Sequence, residues 1–462
     1  MDTVTRGEID AFITTLRGTV VRPGDPGYDQ ARSIWNAMID KRPAAIVRCA
    51  GAADVRSSLN FARDHGWPLA IRGGGHNIAG SALCDDGLVI DLSAMRAVQI
   101  DPQRRRAYVE GGATLRDFDH EAQAYGLATP LGINSTTGVA GLALGGGFGW
   151  LTRTLGMTID NLVSADVVIA DGQRLHVSAD HYPDLFWALR GGGGNFGIVT
   201  NFEFRLHPVG PDITAGLIFF PLAQAKTALM KYRELAASLS ENVAVWCVLR
   251  KAPPLSFLPP EVHGTDVLAL APFSPLKPDA VQGTIDQLRA FGQPVGEFVG
   301  AMPYAAWQQI FDPLLVPGAR NYWKSHNFAS LTEAAIDVVI DYAGKVPTPQ
   351  TEIFLAMLGG QANAPAPGDT AYPHRSAQFV MNVHTRWDSP ADDGTCIAWA
   401  REFFKAAAPY ATGDVYINFM PQDEVDRIPD AYGENYVRLA QVKAKYDPHN
   451  LFRSNQNIRP AA

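Results

Sequence analysis

A histidine that directly follows three consecutive glycines is the first residue of this sequence whose position suggests chemistry. His76 ends the segment LAIRGGGH, in which an apolar run predicts a buried strand and the glycines predict a tight loop. An imidazole held on such a loop could act as a metal ligand or a general base, or it could be a packed core residue. No second histidine, cysteine or carboxylate stands two to four residues away, so we expect no metal site here.

Two further segments are as rich in glycine as the one before His76. They are GVAGLALGGGFG at residues 138–149 and RGGGGNFG at residues 190–197. Glycine lets the backbone approach a ligand closely and lets consecutive amides point at an anion. Three such loops predict a long, phosphate-containing ligand in a cleft, and three tight turns in a sheet are the alternative. The strand pattern IVTNFEFRL after the last loop argues against a Rossmann nicotinamide site.

The strand pattern AQFVMNVHTRW offers candidates for proton transfer. Alternation places Val380, Asn382 and His384 on one face of this strand. His384 is a candidate base, and a half-exposed sheet histidine without a catalytic role is the alternative.

Composition limits the class of protein. The chain has 462 residues, a formal net charge of −8 and four widely spaced cysteines, and its one basic run, Arg104–Arg106, falls at a hairpin turn. These features argue against a nucleic-acid partner and a disulfide framework. Without a secretory signal or an 18-residue apolar run, we expect a cytoplasmic protein that does not cross a membrane.

The elements that must position these residues change in character near residue 210. Before it, many short strands and few helices indicate an α+β fold. After it, long alternating strands such as NVAVWCVL and TEIFLAML are interleaved with amphipathic helices. This pattern predicts a large antiparallel sheet with helices on one face.

The sequence as a whole resembles the berberine-bridge-enzyme-like branch of the vanillyl-alcohol oxidase superfamily. The resemblance is carried by IRGGGHNIAG, by GVAGLALGGGFGWLTRTLGMTIDNLVSADVVIADG, by LFWALRGGGGNFGIVTNFEFRL and by the C-terminal YGENYVRLAQVKAKYDPHNLFRSNQNI. It implies a two-lobed FAD-binding domain of the PCMH type at residues 1–209, a substrate-binding domain at 210–412, and a segment at 413–462 that returns to the FAD domain.

The resemblance also implies how FAD is held. His76 occupies the position of an 8α-histidyl covalent link. Some relatives add a cysteine one element later, but Asn134 stands there in LGINSTTGVAGL, so no second, cysteinyl link is expected. The residues expected to contact FAD are Arg72, Gly73, Gly74, Gly75, His76, Asn77, Ser135, Thr136, Thr137, Gly138, Gly141, Leu142, Val199 and Asn418.

A second group of residues is expected to act on the substrate. If YINF is a strand, Tyr416 shares a face with Asn418 and lies beside the flavin as a base or an orienting group, with a packed aromatic as the alternative. Using a tyrosine as a base at neutral pH would require about 4 kcal/mol of preferential anion stabilisation. Phe419 replaces a tyrosine of the family pattern, and Val380 or Asn382 stands where relatives often place a polar or acidic side chain.

The implied activity is an FAD-dependent oxidation of a small alcohol, phenolic, sugar-like or amine substrate, with dioxygen as the acceptor and hydrogen peroxide as a product. Thr137 stands at the position expected to control access of dioxygen to the flavin. A dehydrogenase with another acceptor, or a flavin-binding protein without turnover, is the alternative. We expect a monomer or a homodimer.

Overall fold

The structure is a computed structural model that describes residues 6–462. Within these residues the strands form three main sheets and one two-stranded sheet. The strands are β1 (Thr19–Val21), β2 (Ala45–Arg48), β3 (Leu69–Arg72), β4 (Leu88–Asp91), β5 (Val98–Asp101), β6 (Arg106–Glu110), β7 (Leu127–Ala128), β8 (Leu162–Val168), β9 (Arg174–Ser178), β10 (Ile198–Arg205), β11 (His207–Pro208), β12 (Asp212–Pro221), β13 (Ala244–Lys251), β14 (Asp266–Ser274), β15 (Gly296–Pro303), β16 (Arg320–Phe328), β17 (Glu352–Met357) and β18 (Phe379–Trp387). The α-helices are α1 (Arg6–Thr14), α2 (Tyr28–Ala31), α3 (Ala52–Asp64), α4 (Leu115–Gln123), α5 (Val139–Leu144), α6 (Thr152–Leu155), α7 (Pro183–Leu189), α8 (Ala225–Ala236), α9 (Pro278–Arg289), α10 (Tyr304–Trp307), α11 (Glu333–Ala343), α12 (Asp393–Ala407), α13 (Ile428–Tyr432) and α14 (Tyr436–Tyr446).

The first sheet carries the loop with His76. Its strand order is β1-β2-β4-β3, with β2 and β3 both parallel to β4. Helix α3 packs on it because Val55, Leu59 and Ala62 recur on one helical face and are fully buried. Strand β3 ends at Arg72, so the chain passes from the sheet directly into the glycine loop.

The second sheet is antiparallel, in the order β5-β6-β10-β8-β9. Helix α4 precedes the second glycine segment and begins with a capping box, in which the Thr114 side chain accepts from the amide of Asp117 and the Asp117 carboxylate accepts from that of Thr114. Phe118 of α4 and Phe202 of β10 share a core with Leu439 of the C-terminal helix α14.

The third sheet has seven antiparallel strands in the order β15-β12-β14-β13-β17-β18-β16. Helices α8, α9, α11 and α12 cover one face, and their apolar residues join the core of that sheet. The predicted α+β fold with a helix-covered antiparallel sheet is therefore confirmed. The domain boundaries at residues 209 and 412 stay predictions.

Three observations bear on the class of protein. Within the described residues no helix is long and apolar enough to cross a membrane. The same part of the chain contains no group of three or more histidine, cysteine or acidic side chains that could hold a metal ion. All four cysteines are buried and unpaired. The cytoplasmic location stays a prediction.

Candidate active site

The loop that carries His76 packs directly against the loop that contains Thr136. A Cβ atom on Gly74 would lie 2.3 Å from the amide nitrogen of Gly138, and one on Gly138 would lie 2.3 Å from that of Gly74. Only glycine permits this approach of two backbones. Gly75 turns the first loop with a φ of 69°. His76 then lies beside the second loop, with its Nε2 2.9 Å from Thr136 Oγ1.

A run of backbone amides after β3 has no hydrogen-bond acceptor among the described residues. The amides at residues 73–77 donate no hydrogen bond within residues 6–462, and these residues line a cavity of about 300 Å³. Consecutive unpaired amides form a concave donor set for an anion such as a pyrophosphate. Arg72 is the last residue of β3 and does not line the cavity, and its guanidinium donates to the carbonyl oxygen of Ala31 at 2.5 Å.

The cavity extends between loops of the first two sheets and one face of the third. The predicted FAD contacts that line it are Gly73, Gly74, Gly75, His76, Asn77, Thr137, Gly138, Gly141, Leu142, Val199 and Asn418. Ser135 and Thr136 do not line it. The amide of Ser135 instead donates to the carboxylate of Asp312 at 3.0 Å, and the hydroxyl of Ser135 donates to the same carboxylate at 2.5 Å.

Tyr416 and Asn418 meet at the cavity, although the predicted strand is wrong. Tyr416 precedes a 3₁₀ turn at Ile417–Phe419. Asn418 Nδ2 donates to the Tyr416 hydroxyl at 2.9 Å, and the amide of Gly147 donates to the same oxygen at 3.0 Å. Two accepted bonds leave the phenol proton for a third partner. Burial raises the pKa of Tyr416 to about 12, so the phenol carries its proton near pH 7, and its role as a base or an orienting group stays a prediction.

Four side chains form a row across the third sheet. Arg250 of β13 is opposite Glu352 of β17, Glu352 is opposite His384 of β18, and His384 is opposite Trp323 of β16. Arg250 Nη1 lies 2.5 Å from Glu352 Oε2, and His384 Nδ1 lies 3.2 Å from Glu352 Oε1. His384 is only 3% exposed, so the alternative of a half-exposed sheet histidine is wrong.

The charges in this row determine which ring nitrogen of His384 carries the proton. Burial acts to raise the pKa of Glu352, but Arg250 and His384 outweigh it and lower the pKa to about 2. An ionised carboxylate only accepts hydrogen bonds, so His384 Nδ1 carries the proton. Burial lowers the pKa of His384, so the ring is neutral near pH 7. Its Nε2 therefore presents a lone pair, and this atom has no partner within residues 6–462.

Asn382 lies on the same face of β18 as His384 and also lines the cavity. It is fully buried, and neither its Oδ1 nor its Nδ2 has a partner among the described residues. A buried amide without partners costs free energy unless a ligand supplies them. Asn382 is therefore placed to bind a polar group of a ligand.

Aromatic rings enclose the part of the cavity next to this row. They are Trp35, Phe148, Trp246, Trp323, Phe354 and Phe419. The Trp35 ring stacks on His76 with centroids 5.1 Å apart and lies 6.3 Å from the His384 ring. His76 and the row on the third sheet thus face one cavity.

Sequence reasoning missed Glu352, Trp35 and Trp246. Glu352 opens the strand pattern TEIFLAML, but only the register between β17 and β18 places it against His384. Trp35 comes from the segment between α2 and β2, where no local pattern marks a site.

Relatives of known class match nearly the whole chain. Residues 43–178 match the family described as FAD binding domain, and residues 415–459 match berberine and berberine like. An FAD-linked oxidoreductase of Dictyostelium discoideum is 32% identical, with 98% of this chain and 97% of the relative covered. The chain belongs to the berberine-bridge-enzyme-like FAD-linked oxidoreductases.

Two further comparisons concern oxidases. The (R)-6-hydroxynicotine oxidase of Paenarthrobacter nicotinovorans is 32% identical to this FAD-linked oxidoreductase, over 96% of this chain and 97% of the relative. The crystal structure of 6-hydroxy-D-nicotine oxidase from Arthrobacter nicotinovorans superposes with a TM-score of 0.86 and 28% identity, and 96% of this chain and 98% of the other are covered.

The residues present in this FAD-linked oxidoreductase fit the cofactor. The unpaired amides at 73–77 suit a pyrophosphate, and a Cβ on Gly141 or Gly194 would point into open space, which leaves room along the cavity. Asn418 and Tyr416 supply polar atoms at the end that the aromatic rings enclose.

Proposed function

We propose that the chain is an oxidase that holds FAD by one covalent bond to His76 and oxidises a small alcohol, phenolic, sugar-like or amine substrate, with dioxygen as the final acceptor and hydrogen peroxide as a product. The observation that carries the proposal is the single cavity in which His76 and the unpartnered Nε2 of His384 lie. When bound, FAD supplies the acceptor for a hydride from the substrate carbon.

The surroundings of His76 support one covalent bond. Burial lowers the pKa of His76 to about 4, although Asp312 acts to raise it, so the ring is neutral and has a lone pair for bond formation. Asn134 lines the cavity where a second tether would need a cysteine. None of the four cysteines lines the cavity.

His384 is the proposed base. Its Nε2 accepts the proton from the substrate O–H or N–H group, and the Glu352 carboxylate stabilises the imidazolium that forms. Arg250 keeps Glu352 ionised. Asn382 binds the polar group of the substrate through its free amide atoms, and Tyr416 donates its phenol proton to orient substrate or cofactor.

The aromatic walls favour a substrate with a flat ring. Trp246 stacks on Phe354 at 5.8 Å and 12°, and the indole N–H groups of Trp246 and Trp323 are buried without partners among the described residues. Ring faces bind aromatic rings, and the free N–H groups suit an acceptor on such a ring. The relative that is by name an oxidase of 6-hydroxynicotine supports the same class. We therefore place aryl alcohols, phenols and aryl amines before sugars.

The test is a screen of these compounds against the yellow protein without oxygen. We expect at least one aryl alcohol, phenol or aryl amine to bleach the flavin, and readmitted air to restore the colour with release of peroxide. Bleaching that only a quinone or dye reverses would identify a dehydrogenase. No bleaching by any compound would favour a flavin-binding protein without turnover. The lack of a carboxylate on β18 suggests this alternative, and the presence of Glu352 on β17 weakens it.

A further inference from the structure

His76 is connected by hydrogen bonds to two polar side chains of the second glycine loop, Thr136 and Asn134. Its Nε2 lies 2.9 Å from Thr136 Oγ1, and Thr136 Oγ1 lies 2.8 Å from Asn134 Oδ1. The three side chains form a continuous hydrogen-bonded chain, called here the His76 relay.

The direction of each hydrogen bond in the His76 relay follows from one backbone amide. The N–H of Thr136 donates to Asn134 Oδ1 at 3.1 Å, which identifies that atom of the side-chain amide as the acceptor. The Thr136 hydroxyl must therefore give its proton to Asn134 and present a lone pair to His76. Nε2 of His76 is then the donor, and a neutral imidazole has no second proton for Nδ1.

We propose that Thr136 and Asn134 are positioning residues for flavin attachment, which hold His76 in the tautomer whose Nδ1 lone pair faces the 8α carbon of FAD. This inference rests on the proposed covalent link and names the atom that forms it. The imidazole of His76 makes its hydrogen bond through Nε2, and Nδ1 makes none within residues 6–462. The stacked Trp35 ring, at 5.1 Å and an interplanar angle of 21°, restricts rotation of the imidazole.

The atoms and electrons of the attachment balance with dioxygen as the oxidant. The N–C bond replaces one C–H bond of the methyl group, and the imidazole, cationic once the bond forms, loses its Nε2 proton. The two protons and two electrons released convert dioxygen to hydrogen peroxide. The His76 relay assists because Thr136 accepts the hydrogen bond of Nε2, and Asn134 accepts that of Thr136, while positive charge develops on the imidazole. The carboxylate of Asp312 also stabilises a positive charge on His76.

The test compares covalent and total flavin in full-length variants. Thr136→Val removes the hydroxyl and keeps the shape, and Thr136→Ser restores the hydroxyl. Thr214→Val is the matched control, because the hydroxyl of buried Thr214 on β12 donates to the backbone carbonyl of Leu276, just after β14. Each protein is incubated with FAD in air, and samples are precipitated with acid over time. Flavin in the pellet is covalent, and flavin retained on a desalting column before acid is the total.

We expect T136V to bind as much total flavin as the parent but to form the covalent bond at least tenfold more slowly. T136S and T214V should match the parent within about twofold. Asn134→Ala frees the Thr136 hydroxyl to donate to Nε2 and should slow attachment as well. Covalent bond formation by both T136V and N134A at the parent rate would overturn the proposal.

A second measurement needs no variant and therefore does not depend on how a substituted loop folds. The flavin peptide of ¹⁵N-histidine-labelled parent protein is isolated, and NMR identifies the alkylated nitrogen. Attachment through Nδ1 is expected, and attachment through Nε2 would contradict the relay. If the parent carries no covalent flavin at all, the proposed link fails and the inference fails with it. If covalent flavin is present with normal rates in the variants, only the relay fails.

Discussion

At the scale of single residues, the candidate site contains buried polar atoms that are left open to a ligand. His384 Nε2 and both amide atoms of Asn382 are buried without partners among the described residues. Such groups cost free energy unless a ligand completes them. Their position in the cavity that also contains His76 makes them the groups that a bound substrate would satisfy.

Glu352→Gln tests the charge that supports His384 while it keeps the side-chain shape. We expect the rate of anaerobic flavin reduction by the best substrate to fall on the order of 10- to 100-fold, since a positioned base with its partner is worth about 10² to 10⁴. Stopped-flow absorbance measures this rate across pH. Lys345→Gln, at an exposed ion pair with Asp341, is the control and should leave the rate unchanged.

The same variant has a pH signature that a structural defect would not give. Burial lowers the pKa of His384, whereas Glu352 acts to raise it. Loss of the carboxylate charge should therefore lower the pKa of His384 further, and the acid limb of the rate profile should move to lower pH. A limb that moves to higher pH, or an unchanged rate, would contradict His384 as the base.

The sequence predicts part of this residue-scale picture. Alternation along β18 places Asn382 and His384 on one face, and the glycines mark His76. Glu352 could not be found, because it is 32 residues from His384 and joins it only through the register of two strands. The relay behind His76 depends on hydrogen bonds within residues 134–136 that no residue pattern indicates.

At the scale of elements, two glycine loops in backbone contact set the position of His76. Gly138 has a φ of −74°, which alanine also adopts, so a substitution there tests the contact and not the conformation. We expect Gly138→Ala to lower the free energy of unfolding by about 1–3 kcal/mol through overpacking and to reduce flavin retained per chain. Thermal unfolding and absorbance of the purified protein measure the two effects.

The matched control for Gly138→Ala lies in helix α9. A Cβ on Gly283 would meet no atom within 4 Å, and alanine favours a helix over glycine by about 0.5–1 kcal/mol. Gly283→Ala should leave flavin retention unchanged and raise the melting temperature slightly. Equal flavin retention in the G138A and G283A proteins would show that the two glycine loops do not need their close contact.

The elements also show where pattern reasoning fails. The long strands of the third sheet are predicted correctly because their apolar residues alternate over many positions. YINF has the same appearance over four residues, yet it forms a 3₁₀ turn in which Asn418 bonds to Leu142 O at 3.2 Å and to Tyr416. The conformation of such a short segment depends on side-chain hydrogen bonds to a distant element, and the sequence of the segment does not indicate those bonds.

At the scale of the whole molecule, a buried polar contact joins helix α4, which precedes the second glycine loop, to the segment after α10. Gln308 of the segment after α10 donates to Asp119 of α4 at 3.0 Å and to the carbonyl oxygen of Gly132 at 3.2 Å. Asp119 Oδ1 and Gln308 Oε1 have no partner within the described residues. Burial raises the pKa of Asp119 from 3.8 to about 7.

This contact predicts a stability that depends on pH. Because the pKa of Asp119 is raised in the folded state, its favourable contribution is present below pH 4 and is lost as pH rises through about 7. Asp119→Asn should therefore raise the free energy of unfolding by about 1–3 kcal/mol more at pH 8.5 than at pH 5. Melting temperatures at the two pH values test this. Exposed Asp180→Asn should change neither, and a D119N protein less stable at pH 8.5 than at pH 5 relative to the parent would refute the argument.

The most direct test of a single flavin link at His76 is acid precipitation of the purified parent protein and of His76→Ala. We expect yellow colour and flavin fluorescence to stay in the parent pellet, and digestion to place the flavin on the peptide containing His76 alone. The H76A protein should release all of its flavin into the supernatant. Colour that washes off the parent pellet, or that remains on H76A, would contradict a single flavin link at His76.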